Sequence, residues 1–359
     1  MMSISTTTVS AQQAQPQPQS TPRVLVYTAT AGFRHDSIPT AIQVLGNIAG
    51  QYGVEFVFSE DRSLFTNETL SGFDGVMFVS NSDEVLDAPG QAALQTFFQS
   101  GGVYTGVHAA SACLFQDNNY LQAVGAYFDY HPQLQQATFE RLNSTFPATA
   151  NVPDRWTFVE EVYHFRSDPR SEGAVVIMTV DESSYNNDGT STGNYPPEGS
   201  PHPIAWYIDS PNSAQPLLDS VTKAGRSFYT SLGHTNETWQ NSTFQGHVME
   251  GLLWALGGAS TRAYGVGLVG NGTASASATS TSSSPSSTAS AGATGSGTAA
   301  VSSTGGVTGA SASASGSSAP ASSQSGSGAP GYGQLVFGKM AAVGLGMVGA
   351  VVLGTGMVL

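Results

Sequence analysis

Only one cysteine, Cys113, stands in the chain, so no intrachain disulfide can form and any folded part must hold itself by packing. Positive charge is scarce as well: 11 Lys and Arg face 25 Asp and Glu, for a net charge of −14. The basic patches that would bind a phosphate backbone are absent, which argues against nucleic acid as a partner. Charge of either sign nearly vanishes beyond Arg262, where Lys339 stands alone; taking that one positive charge from −14 leaves −15 on Met1 to Arg262. The stretch from Met1 to Ala11 has neither a basic n-region nor an apolar h-region and does not read as a signal peptide. "VSAQQAQ" from Val9 resembles the end of one, which leads us to expect that the given start is truncated or misassigned.

Composition divides the remaining chain. Residues 1–21 are a Ser/Thr/Gln/Pro leader without apolar periodicity, expected to be disordered. Residues 22–262 hold nearly all the charge, tryptophan and histidine and are long enough to bury a core. Residues 263–330 are dominated by Ser, Ala, Gly and Thr, a composition that cannot offset its own ordering and suits an extended, O-glycosylated stalk. Residues 331–359 end in an apolar and glycine run, Met340 to Leu359, that is read either as a membrane-spanning helix or as a removed anchor signal. Small residues at Ser325, Gly326 and Ser327, a polar spacer and the terminal run fit attachment of a glycosylphosphatidylinositol (GPI) anchor. Sequons at Asn67, Asn143, Asn236, Asn241 and Asn271 agree with passage through the secretory pathway to a cell surface.

Within 22–262 the hydrophobic pattern alternates between the two periods. "RVLVYTA", "VEFVFS", "FDGVMFVS" and "VYTGVHA" read as buried strands, while "SIPTAIQVLGNIAGQYG" and "APGQAALQTFFQSGG" read as helices stopped by glycine. Later strands are expected at "AVVIMTVD", "HPIAWYID" and "RSFYTSLGH", and "FQGHVMEGLLWALGG" closes the domain as a helix. Short spacing and right-handed crossovers predict an α/β, flavodoxin-like three-layer sandwich with a mainly parallel sheet.

Histidines fall where such folds keep their ligands. His35 follows the first strand, His108 ends "VYTGVH" and reads as opening a helix, and His234 ends "RSFYTSLGH"; the carboxyl ends of strands line the ligand crevice. "GAYFDYHP" adds His131, and "EEVYHFR" adds Glu160, Glu161, Tyr163 and His164. If the latter segment is a strand, Glu160 and Glu161 face opposite ways and one alone enters the pocket. We expect His35, His108, His131, Glu161 and His234 to converge on one polar cavity.

The ordered segments "GFRH", "GGVYTGVHAA", "VGAYFDYHP", "EEVYHF", "HPIAWY", "GRSFYTSLGH" and "GLLWALGG" resemble the ThuA-like family, named for trehalose utilisation, over about Arg23 to Gly258. The resemblance implies the fold of class I glutamine amidotransferases and a link to sugar metabolism, notably keto-derivatives of glucosides. Glu160 departs from the family, which more often has Asp there. Gly106-Val107-His108 occupies the place where amidotransferase relatives carry a Gly-Ile-Cys elbow, and imidazole cannot form a glutamyl thioester. Cys113, read as lying inside the helix that follows, is no substitute nucleophile, so glutamine amidotransferase activity is not expected.

Two chemistries suit imidazoles with a carboxylate. They can relay a proton at a carbon beside a carbonyl, as in isomerising a keto-sugar, or they can hold a divalent metal. Glu161 is the candidate general base, with His108 and His234 as proton carriers or substrate donors. His35 and His131 complete the pocket wall or join a metal site with His108 and His234. Tyr163 is carried as a substrate contact, although core packing is its alternative, as for Trp206. His202 reads as structural or at the rim. A glycan-binding module without turnover stays open as the other reading of a carbohydrate or small-molecule ligand on a membrane-anchored domain.

Overall fold

The computed structural model describes residues 16–258 and 260–270; the leader up to residue 15, Asn271, the proposed stalk from residue 271 onward, the candidate anchor sites Ser325, Gly326 and Ser327 and the terminal run Met340 to Leu359 lie outside them. Apolar alternation in the first half produces five strands with crossover helices. They are β1 (Arg23–Tyr27), α1 (Ile38–Ile48), β2 (Glu55–Ser59), α2 (Asn67–Leu70), β3 (Gly75–Val79), α3 (Ala88–Gln99), β4 (Val103–Val107), α4 (Asn118–Val124) and β5 (Phe128–Tyr130). The second half adds β6 (Gln135–Arg141), α5 (Pro147–Ala150), β7 (Arg155–Glu160), β8 (His164–Phe165), β9 (Val175–Val180), β10 (Ala205–Ile208), β11 (Ser227–Thr230), α6 (Asn236–Gln240) and α7 (Ser242–Leu256).

Nine strands form one sheet in the order β2-β1-β3-β4-β11-β10-β9-β6-β7. The first five run parallel, which is the flavodoxin-like order with β11 in fifth place. From β10 outward the pairing is antiparallel. β3 and β4 are buried along their whole length, so they read as continuous apolar runs. One face carries Leu94, Phe97 and Tyr120 from α3 and α4 onto Leu25, Phe78 and Tyr104; the other carries Leu45, Val248 and Leu252 from α1 and α7 onto Val24, Val26 and Met77. This makes a three-layer α/β sandwich.

The sequence boundary at Arg262 falls inside structure that continues. Leu268 N–H donates to the Ser100 carbonyl, Gly270 N–H donates to the Ser71 carbonyl, and Val269 is buried. No helix among the described residues is long and apolar enough to cross a membrane.

Candidate functional site

Strand β4 ends at His108, and the backbone there turns through φ +56°, in the left-handed region. The chain then makes a single 3-10 turn, His108–Ala112, rather than the longer helix expected from sequence. Cys113 follows that turn in extended conformation instead of lying within a helix, and it is fully buried with its thiol directed at the Ala110 carbonyl and the Tyr120 hydroxyl. Tyr229 holds the elbow by donating to the His108 carbonyl oxygen at 2.8 Å. A side chain at such a strand-to-helix corner projects above the carboxyl end of the sheet.

Three segments bring partners to it. The loop after β1 supplies His35, whose Nε2 is 3.0 Å from His108 Nε2. The loop after β11 supplies His234, with Nδ1 3.2 Å from the same nitrogen. Beyond β7, Tyr163 places its hydroxyl 2.9 Å from His108 Nε2, and Glu161 sets Oε2 3.1 Å from His234 Nδ1 and 3.6 Å from His108 Nε2. The other Glu161 oxygen stands 3.4 Å from His131 Nε2, while His131 Nδ1 donates to the Pro132 carbonyl. Exposure sorts these groups by depth: the His108 side chain is 0% exposed and that of Glu161 8%, whereas His234 and His131 reach 21% and 33%. The buried end of the cluster is His108 and the open end is His131.

Charge follows that gradient. Burial, with His35 and His234 alongside, holds the His108 pKa well below the ordinary 6.5, and burial beside His234 brings His35 down to about 4. Burial would lower His234 too, but the hydrogen bond and charge of Glu161 raise it instead.

Glu160 turns the other way from Glu161, as the strand period predicts, yet it is part of the site's construction. Its buried carboxylate accepts from the backbone N–H of Glu161, Gly233 and His234 and from the Thr238 hydroxyl, at 3.0 to 3.3 Å. Gly233 sits at φ +122°, a conformation open to glycine, which lets successive N–H groups point at one carboxylate. Burial pushes the Glu160 carboxyl up to about 7 against the pull of those donors.

A second cluster lies behind Tyr163. Residues 181–204, between β9 and β10, form a strap over β5 and β8, pinned by Ser191 and Thr192 to Asp129. His164 Nδ1 donates to Glu198 at 2.7 Å; His202 donates from Nε2 to the Tyr163 carbonyl at 2.8 Å, and its Nδ1 is 2.7 Å from Glu182. Sequence reading has His202 as structural or at the rim, and its partners here are structural; it misses Glu182 and Glu198, because these groups are brought together only by the strap. Burial alone would lower the His202 pKa, but Glu182, Glu198 and the Tyr163 carbonyl raise it above 6.5. A raised histidine stabilises fully below its unfolded pKa and loses that contribution as pH rises through the folded value. Hydrogen exchange in 182–203, corrected for intrinsic rates, should therefore show weaker protection at pH 9 than at pH 6. Equal protection would mean that His202 does not latch the strap.

The remaining histidine, His247, is buried in α7 and donates to the Ala148 carbonyl. Trp206 is core, with its indole N–H on the Val124 carbonyl. Of the sequons, Asn67 is exposed, Asn143 and Asn241 cap local turns through their side-chain oxygens, and Asn236 accepts from Thr40.

A flavodoxin-like domain whose elbow carries imidazole in place of a thiol is the class that fold and cluster define. The chain belongs to the ThuA family, described as trehalose utilisation, whose model matches residues 23–255. No curated protein matches it in sequence. Among solved structures, a ThuA-like protein from Bacteroides uniformis is 16% identical, covering 69% of this chain and 95% of that one, with a TM-score of 0.51. A ThuA-like protein from Parabacteroides merdae is 18% identical over 66% of this chain and 90% of that one, with a TM-score of 0.48. The first of these shares the fold.

Proposed function

We propose that this domain processes a carbohydrate bearing a carbonyl, a keto-sugar or glucoside derivative, by moving a proton at the carbon beside it. The family's description, trehalose utilisation, supports a carbohydrate-related role. The observation that carries the chemistry is Glu161, a carboxylate with imidazoles at 3.1, 3.4 and 3.6 Å in a largely buried site. Glu161 would take the proton from the C–H bond, the electron pair would form the enediol C=C, and the former carbonyl oxygen would receive a proton from the Tyr163 or His131 side. Reversal at the neighbouring carbon completes an isomerisation. His108, completely buried, supports the cluster from beneath.

The test is solvent exchange: keto-glucosides incubated with the protein in D2O should gain deuterium beside the carbonyl, as followed by NMR. Binding without exchange would support the glycan-binding module instead.

Surface display belongs to the same proposal and rests on the sequons, the stalk composition and the apolar terminal run. Phosphatidylinositol-specific phospholipase should release the protein from intact cells, and endoglycosidase should increase its gel mobility. A membrane-bound form that still yields a Leu359 peptide would refute the lipid anchor.

A further inference from the structure

We propose that His35, His108, His234 and Oε2 of Glu161 form a binding site for one divalent transition-metal ion of the zinc class, which leaves Oε1, on the His131 side, for the proton transfer. The proposal rests on the carbohydrate reading only for the ion's use, which is to polarise the substrate carbonyl as a fifth donor on an expanded shell. Its structural basis is a mismatch between protons and contacts.

His108 Nδ1 lies 2.8 Å from the Ser231 carbonyl, which can only accept, so Nδ1 carries the hydrogen and Nε2 of the neutral ring presents its lone pair. Tyr163 Oη, His35 Nε2 and His234 Nδ1 converge on that nitrogen at 2.9, 3.0 and 3.2 Å. One in-plane lone pair serves one good donor; His234 Nδ1 has Glu161 as another acceptor, which leaves Tyr163 and His35 to compete for it. If His35 instead spends its proton on Nε2, the lone pair left on Nδ1 is buried with no partner among the described residues. A cation between these imidazoles and Glu161 accepts one lone pair from each of the three rings and the carboxylate charge as well.

Distances agree with that reading. The four ligand atoms all lie within 4.8 Å of one another. Zinc–nitrogen bonds of about 2.0–2.1 Å in a tetrahedron set neighbouring donors about 3.4 Å apart. The observed spacings of 3.0, 3.2, 3.1 and 3.6 Å fall around that value. The hydrogen bond from His108 Nδ1 to a carbonyl fixes the tautomer and ring orientation, as a ligating imidazole requires. Three nitrogens and one oxygen favour an ion of intermediate softness over magnesium or calcium.

The strap cluster sharpens the contrast. His164, Glu198 and His202 also have atoms within 4.8 Å of one another. There, however, protons and acceptors balance: His164 donates to Glu198 and accepts from Asn187, and both His202 nitrogens face acceptors. No lone pair is left for an ion.

The full-length chain, stripped with chelator, should take up one zinc ion by calorimetry and elemental analysis, and cobalt(II) should give the visible absorption of a tetrahedral site. His35→Gln and His234→Gln should each weaken binding by more than about 100-fold, beyond the loss typical of a supporting partner. His164→Ala should bind as the parent does. Circular dichroism of each variant separates lost ligation from lost folding. A folded stripped chain that takes up no zinc at micromolar concentrations, or uptake indifferent to both substitutions, overturns the site. Zinc uptake without keto-sugar exchange supports the site and refutes the carbohydrate reading; exchange by a chain that binds no zinc does the reverse.

Discussion

Glu161→Gln should lower keto-glucoside turnover by about 10²–10⁴-fold, the range for loss of a general base, while leaving the melting temperature nearly unchanged. The amide keeps the shape of the side chain but cannot take a proton at neutral pH. Among the described residues it pairs with His108, His131 and His234, and no backbone N–H donates to its carboxylate. Retained turnover within tenfold would remove Glu161 from the chemistry. His108 is a different case. From sequence its replacement by alanine is also expected to spare stability, since polar pocket residues add little to a core. Its complete burial and its bond to the Ser231 carbonyl alter that expectation: His108→Ala should cost about 1–3 kcal/mol in urea unfolding, because the carbonyl is left without its donor.

Glu160→Ala should be the most damaging single change near the site, with a loss of about 3–5 kcal/mol by urea denaturation. Three backbone N–H groups and the Thr238 hydroxyl would lose their common acceptor in a largely buried region. The loop bearing His234 would come free of β7, so turnover should fall together with stability. Glu160→Asp, which keeps the charge on a shorter stem, should recover part of both. A loss under about 1 kcal/mol would mean that the loop holds without this carboxylate, well below the cost of orphaned buried donors.

The sequence by itself determined the parallel half of the sheet. β1, β2, β3 and β4 announce themselves as short apolar runs, and Gly53, at φ +63°, stops the turn after α1 as expected. It also put His35, His108 and His234 at strand ends and set Glu161 and Glu160 on opposite faces, because the strand period of two and the carboxyl-end crevice are local or topological rules. The tertiary structure decided the rest. β7, "RWTFVE", alternates exposed and half-buried residues at the edge of the sheet, and β6, "QQATFER", beside it buries only Ala137, Thr138 and Phe139, so no apolar run betrays them. Glu160 anchors N–H groups more than seventy residues away. The His164, Glu182, Glu198 and His202 latch exists only because a loop without apolar periodicity folds back over Tyr163. Hydrophobic periodicity records which face of an element is buried; it carries no information about which distant donor meets which acceptor, and that pairing is what separates a crowded set of lone pairs at His108 from a satisfied one at His202.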